Sequence, residues 1–427
     1  MTLRGSIAWW WFLALQDWTL MVLPFWLEAI VVGINLLLLP YLGLILVTAL
    51  AALCSRRVAR KPDAPRTRFL VVIPAHDEES GIAATVRSCL SLDYPDSLFE
   101  VLVIADNCSD DTASVARQQG ATVVERQDPD KKSKGHAIRF LIDRLQESGQ
   151  FADLDALVVI DADTTVSPDL LQAFAGSIEA GRDWIQCFYA VANPDTSWRT
   201  GLMAYAFSLF NGVTPLGQSV LGLSAGFRGN GMCFSTRSLK LVPWRSFGLV
   251  EDMEYSWNVR IAGGKIAFLP DVRVLGVMLG QGGKAAVSQR RRWEFGRREL
   301  SQRVLVPLLR STHLKLTEKF AAVLELTMPP MVLLFVYYLC VVAANLLVLL
   351  GTQHSAGLTA FLIGSGFLMS LALMVHAICP FLVFQLSWKY LLSLLYLPIY
   401  AVWKLPAMCS GRPTQWVRTA REEPVKP

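Results

Sequence analysis

Apolar and polar positions divide this chain into three blocks. Ala29 to Cys54 is a run without a single charged side chain, closed by Ser55, Arg56 and Arg57. At about 1.5 Å per residue, a helix of that length crosses a hydrocarbon core roughly 30 Å thick. The stretch before it, SIAWWWFLALQDWTLMVLPFW, is apolar too, but carries Asp17 and five tryptophans. Tryptophan favours the membrane–water interface, so this stretch reads either as an interfacial helix or as a further span. It has no small-residue cleavage site of a signal peptide and is expected to stay in the protein. Near the other end, Phe320–Leu350 and Leu358–Leu386 are each long enough to cross. Trp388–Cys409 is a weaker third segment, interrupted by Pro398, Lys404 and Pro406.

Between these ends, from Ser55 to about Leu314, the pattern changes to short apolar runs alternating with helical spacing. FLVVI (Phe69–Ile73), EVLVI (Glu100–Ile104), TVVE from Thr122 and ALVVI (Ala156–Ile160) predict strands. Ile82–Leu90, Asp111–Gln119 and Lys134–Leu145 predict helices, the second closed by Gly120. Strands alternating with helices predict a parallel, right-handed α/β sheet, with ligands at the carboxyl ends of its strands. No G-x-G-x-x-G follows the first strand, which argues against a dinucleotide dehydrogenase.

That edge collects acids: Asp77 and Glu78 after the first strand, Asp106 after the second, Asp161 and Asp163 after the fourth. Carboxylates gathered in one place repel unless something positive joins them, and a divalent cation with oxygen ligands is the simplest candidate. Asp161-Ala162-Asp163 reads either as a Mg2+ or Mn2+ site that also grips a diphosphate, or as a turn or a cap for a helix near Pro168. Asp106 reads as a ligand to a base or ribose, or as a turn residue with Ser109 or Asp110 capping the next helix. Lys131, Lys132 and Lys134 are either a solvated basic face or phosphate contacts. Glu251, Asp252 and Glu254 suit a helix start through the dipole, and Asp252 could instead take a proton from an acceptor hydroxyl. Gly229 and Gly231, around Asn230, allow either close ligand approach or a tight turn.

Composition sharpens this. The 427 residues are 53% hydrophobic and 18% charged, too apolar for an ordinary soluble enzyme and too charged for a pure transporter. Eight cysteines show no metal spacing and read as reduced core residues. The basic run SRRVARK from Ser55, and Arg412, Arg418 and Arg421 in the tail, place the central domain and the tail on the cytoplasmic side. An even number of crossings after the domain follows, satisfied by two spans and an interfacial Trp388–Cys409. The net charge of +5 is modest, and no nucleic-acid partner is expected. Its crowding in SQRRRWEFGRREL (Ser288–Leu300) matters more. Arg290, Arg291, Arg297, Arg298 and Arg303 suit a membrane surface, whereas Arg292 could bind a diphosphate through paired donors and Trp293 could offer a flat face to a sugar.

In order, the chain shows PAHDEE, ADNCSDDT, KSKGHA, DAD, GNGMCF, VED and QRRRW. This resembles a membrane-bound, inverting family-2 glycosyltransferase related to cellulose, chitin and hyaluronan synthases. The resemblance covers Phe69 to about Arg303. It implies a Rossmann-like α/β GT-A glycosyltransferase domain on the cytoplasmic side, with transmembrane helices at both ends. The expected organisation is a membrane segment over 1–54, a GT-A domain over 66–285, interfacial amphipathic helices over 286–319, a transmembrane region over 320–409 and a tail over 410–427. The resemblance further implies a UDP-sugar held by Ala75, His76, Glu78, Asp106, Lys134, Asp161, Gln289 and Arg292, with Asp163 on Mg2+ or Mn2+. Asp252 would be the general base, and Gly229, Asn230, Gly231 and Trp293 would meet the acceptor. Departures occur at Asp77, where the family usually has Asn, at Ala105-Asp106-Asn107 in place of D-D-G, and at Val250 in place of Thr. The expected activity is β-linked polysaccharide synthesis. The alternatives are transfer of one sugar to a lipid, or an inactive sugar-nucleotide-binding membrane subunit.

Overall fold

A computed structural model describes residues 4–55, 61–62, 64–281, 283–351 and 354–409, with the side chains of 4–24, 284 and 405–409 outside the description. The basic run after Ser55, apart from Lys61, and the arginines of the tail lie outside the described residues. The chain forms two compact units, one of Met1–Val47 with Thr327–Ala377, the other of Thr48–Leu326 with Ile378–Pro427.

A single helix, α1 (Arg4–Leu53), leads into β1 (Phe69–Ala75), α2 (Ile82–Leu90), β2 (Phe99–Asp106), α3 (Thr112–Gln118), β3 (Thr122–Arg126), α4 (Lys134–Glu147) and β4 (Ala156–Val159). These four strands pair in parallel, as the alternating pattern predicts. Their continuous apolar runs are explained by burial on both faces. Phe69, Val71, Ile73, Val101, Val103 and Val158 meet Ile82, Val86 and Cys89 of α2 on one face, while α4 packs on β1 and β2.

The remaining elements are β5 (Thr164–Val166), α5 (Leu170–Glu179), β6 (Trp184–Val191), α6 (Trp198–Phe207), a π-helical turn (Ser208–Val213), α7 (Thr214–Val220), β7 (Met232–Ser235), α8 (Thr236–Leu241), α9 (Glu251–Ile261) and β8 (Ile266–Gly276). Here the expectation of an all-parallel sheet is corrected. The sheet has eight strands in the order β3-β2-β1-β4-β7-β6-β8-β5, and β7 runs antiparallel to both β4 and β6. The reversal has a positional consequence. With Val159 opposite Met232, the loop entering β7 lies where β4 ends, so residues 228–231 meet Asp161. Phe227, Phe234, Trp244 and Tyr255 form a buried aromatic group beneath this junction, with centroids 4.6–5.9 Å apart.

After β8 come α10 (Lys284–Arg310), α11 (Leu316–Thr327), α12 (Met331–Gly351), α13 (Ala356–Val383), a 3-10 segment (Trp388–Tyr396) and α14 (Leu397–Cys409). The apolar run from Phe320 is two helices rather than one span. Pro329 and Pro330 break it after Thr327, because proline removes an amide donor and disfavours helix in the residue before it. Three helices among the described residues are long and apolar enough to cross a membrane: Phe25–Leu53, Met331–Gly351 and Ala356–Val383. A polar pin joins them within the first unit. Asn35 donates to Asn345 Oδ1 (2.7 Å) and accepts from Ser365 Oγ (2.8 Å).

Within the second unit, α14 is fastened to α10. Lys404 is buried and bonds Glu294 at 2.7 Å, Arg290 bonds the Tyr400 hydroxyl, and Trp403 sits 5.1 Å from the Arg199 guanidinium. Removing one member of a buried pair strands the other. Lys404→Met should therefore destabilise this unit by ~3 kcal/mol, while adding Glu294→Leu should recover most of the loss. Thermal or denaturant unfolding of the detergent-solubilised protein measures both.

Candidate active site

The ends of β1, β2 and β3 form the first half of the site. His76 pairs through Nδ1 with the Asp106 carbonyl at 2.7 Å, and the Glu78 amide donates to Thr112 Oγ1 at 2.7 Å. Ala75, His76, Glu78 and Asp106 are thus brought together. The Asp106 carboxylate is buried and accepts from Arg126 Nη1 at 2.5 Å. Arg126 also bonds Asp128 at 3.0 Å and holds the Lys131 carbonyl at 3.1 Å. Sequence reasoning missed Arg126. Its only signal was a lone arginine closing the TVVE strand beside the acidic edge. Asp77, Cys108 and Asp110 place potential metal-ligand atoms within 4.8 Å of one another. Their carboxylates already accept from the amides of Ser109 (2.6 Å) and Thr112 (3.0 Å), which accounts for the cluster as loop structure.

The second half is built where β4 meets the loop into β7. Lys134 Nζ bonds both the Asp161 carboxylate and the Gly229 carbonyl. Asn230 is wholly buried; its Oδ1 accepts from the Asp161 amide (3.1 Å), its Nδ2 donates to Thr164 (2.7 Å), and its carbonyl accepts from Gln186 (2.8 Å). Asn230 therefore braces the loop. Gly231 (φ +67°) lies so close to Cys187 that a Cβ would overlap its sulfur, while Gly229 (φ +82°) would put a Cβ 3.3 Å from Asp252 Oδ2. Both glycines thus permit backbone crowding that side chains would prevent.

Glu251 and Asp252 occupy the first turn of α9. Burial pushes the Asp252 carboxyl up, opposed by the Met253 amide and by the charges of Lys134 and Arg228. Burial pushes Glu251 up to about 7, with Asp252 adding to the shift and Lys134 and Arg292 opposing it. Burial lowers the half-buried Lys134 ammonium, yet the Asp161, Glu251 and Asp252 charges outweigh it and keep the group above its ordinary value. Tyr189, on β6, belongs to the same group. Burial, then the Asp161 and Asp163 charges, raise its phenol. No sequence motif flagged Tyr189.

The arginine-rich helix divides its roles. Arg290 is committed to Tyr400 and Glu294, and Arg303 to Glu254 at 3.4 Å. Arg292 keeps a buried Nε without a hydrogen-bond partner among the described residues, and its charge acts on Glu251. Trp293 is half-buried against the cluster of Val250, Trp257, Leu300 and Val304, with the Arg290 guanidinium 5.2 Å from its ring. Gln289 is also half-buried. Arg292, Glu251, Asp252, Lys134 and Asp161 therefore share one continuous electrostatic patch.

The profile of glycosyltransferase-like family 2 matches residues 65–296. The chain belongs to that family. A β-monoglucosyldiacylglycerol synthase from Synechocystis sp. is 27% identical over 243 residues, covering 54% of this chain and 48% of that one. A protein of the same name from Trichormus variabilis is 26% identical over 236 residues. The match with these relatives spans about half of their length. A mannosyltransferase from Pyrobaculum calidifontis, solved with GDP-Man and Mn2+, superposes with a TM-score of 0.53 at 16% identity, covering 83% of this chain and 98% of that chain. The fold of this glycosyltransferase is GT-A.

A pair of carboxylates, as Asp161 and Asp163 offer, is a donor set of the kind a hard cation takes. Asp161 and Asp163 together place negative charge on Tyr189, and Mg2+ commonly takes only one or two carboxylates, leaving its other positions for phosphate and water.

The raised Glu251 carboxyl has a thermodynamic sign. Its folded value lies above the ordinary 4.5, so the unfolded chain releases its proton first. Stability is unaffected below about pH 4.5, falls as the pH rises towards 7, and stays reduced above it. Glu251→Gln should therefore raise the melting temperature at pH 8 more than at pH 5. Calorimetry at the two pH values measures the difference.

Proposed function

We propose that this glycosyltransferase moves one sugar from a UDP-sugar to a hydroxyl on a membrane lipid, with inversion. The observation that carries this reading is the convergence of Asp161, Lys134, Asp252 and the unbonded Nε of Arg292 on one patch. Ala75, His76, Glu78 and Asp106 would hold the uridine end, with Arg126 fixing Asp106. Asp161 and Lys134 would fix the sugar-phosphate region, and Gln289 and Arg292 the diphosphate. Asp163, with Asp161, would hold Mg2+ or Mn2+, whose chemistry there is to screen the diphosphate charge.

The acceptor hydroxyl, presented beside Gly229 and Trp293, would attack the anomeric carbon as its proton passes to Asp252. Burial helps that step. A carboxylate whose pKa is pushed up is a stronger base than one in water, and proton transfer is most effective when the base titrates near the working pH. The leaving UDP gains negative charge as its bond to the sugar breaks. Arg292 and Lys134 meet that charge from fixed positions, which favours the transition state over the bound substrate.

The names of the two β-monoglucosyldiacylglycerol synthase relatives support a lipid acceptor over a growing polymer. Apolar side chains exposed at Leu392, Leu395, Ile399 and Val402 support α14 and the segment before it lying along a bilayer surface. We take the catalytic unit to face the cytoplasm, where UDP-sugars are available. The organisation in the membrane is then one span in α1 and two in α12 and α13, flanking the GT-A domain and its interfacial helices.

Asp252→Asn should reduce sugar transfer by about 10²–10⁴-fold while leaving UDP affinity within about twofold; UDP release and calorimetry measure the two. Unchanged turnover would remove Asp252 from the mechanism. Products from each common UDP-sugar, supplied with Mg2+ or Mn2+ and diacylglycerol-containing vesicles, should carry a single added sugar. A ladder of products would replace the lipid reading with polymer synthesis.

A further inference from the structure

Arg228 has no role in the mechanism above, yet it sits in the same pocket. Its backbone is fixed on both sides. The Arg228 amide donates to Gln186 Oε1 at 2.9 Å, the Phe227 amide donates to Ser256 Oγ at 2.7 Å, and the following carbonyl, of Gly229, is held by Lys134. The guanidinium is not fastened in this way. Its Nε is buried with no hydrogen-bond partner among the described residues, a condition it shares with Arg292.

Two carboxylates attract Arg228 without accounting for it. Glu325 already accepts from Arg260 Nη1 and Gln218 Nε2, both at 2.9 Å, and its charge also acts on Arg297. One carboxylate thus serves three guanidinium groups. The other, Asp252, is the residue assigned to proton transfer. A guanidinium whose Nε is buried without an acceptor is under-satisfied, and an anion would complete both its charge and its hydrogen bonding. Burial indeed lowers the pKa of Arg228, against the opposing pull of Glu325 and Asp252. The place of Arg228 in the chain also favours a ligand. Its neighbour Gly229 comes so near α9 that a Cβ there would lie 3.3 Å from Asp252 Oδ2; Arg228, from the loop before β7, acts on Asp252, while Arg292, from α10, acts on Glu251. Two arginines from separate elements thus reach adjacent residues at the start of α9, each with an unused donor.

We propose that Arg228 is a phosphate ligand, forming with Arg292 a two-guanidinium clamp at the start of α9. The assignment rests on the reading of this pocket as a nucleotide-sugar site. Guanidinium is suited to the task because its planar donors match phosphate oxygens in pairs. The phosphate has two possible sources, the diphosphate of the donor or a phosphate carried by the lipid acceptor.

The test uses the full chain in detergent with Mg2+, comparing wild type, Arg228→Gln and Arg228→Lys by calorimetry. The ligands are uridine, UDP and inorganic pyrophosphate, then inorganic phosphate titrated into UDP-saturated protein. If the donor supplies the phosphate, Arg228→Gln weakens UDP and pyrophosphate by about 10–100-fold and leaves uridine unchanged. If the acceptor supplies it, UDP binding holds and the phosphate titration weakens by a similar factor. Binding of UDP, pyrophosphate and phosphate all within twofold of wild type overturns the assignment. So does a loss of uridine binding in step with UDP in both variants, which marks a purely structural arginine. If only Arg228→Gln loses uridine, Arg228→Lys decides, since it keeps the charge and removes the paired donors; weakened UDP or phosphate with intact uridine then supports the clamp. A wild type that binds neither uridine nor UDP overturns the nucleotide reading itself, and this assignment with it.

Discussion

The site depends on one half-buried cation. Lys134 Nζ ties the Asp161 carboxylate to the Gly229 carbonyl and offsets the charges of Glu251 and Asp252. Without it, Glu251 and Asp252 would lose the larger of the two charges that oppose the effect of burial on each, and their carboxyls would rise further. Lys134 opens α4, where Ser133 caps the helix by accepting from the His136 amide. The position of the ammonium is thus set by a helix start packed on β1 and β2. Local capping, sheet packing and site electrostatics meet in that one side chain.

A second constraint is the antiparallel strand in the middle of the sheet. An all-parallel arrangement would carry the loop before β7 to the edge away from Asp161. Reversing β7 brings Arg228, Gly229 and Asn230 to the carboxyl end of β4, and the Asn230 side chain then accepts from the Asp161 amide and donates to the Thr164 hydroxyl, on either side of Ala162. The loop is rigid because its amide and carbonyl groups are used, which is a precondition for electrostatic preorganisation.

The crowded positive charge around Trp293 resolves into distinct tasks. Arg290 and Lys404 share Glu294 and hold α14 onto α10, Arg303 pairs with Glu254, and Arg292 keeps a buried Nε without a hydrogen-bond partner among the described residues. Trp293 is equally divided, with one part of its surface packed against the α9–α10–α11 cluster and Arg290 over its ring.

Much of this was legible in the linear pattern. Uncharged runs marked the helices long and apolar enough to cross a membrane, period and length marked the first four strands, and seven short motifs in order marked the family. These features are local, because strand burial, helix spacing and membrane length are written residue by residue. What the sequence could not express was which distant groups would neutralise one another. Arg126 answering Asp106, Lys134 answering Asp161, the burial of Asn230 and the idle donor of Arg228 all follow from strand order, and strand order turned on a four-residue strand, β7, too short to announce its direction. Charge pairing and desolvation depend on three-dimensional separation, so only the tertiary structure decided them.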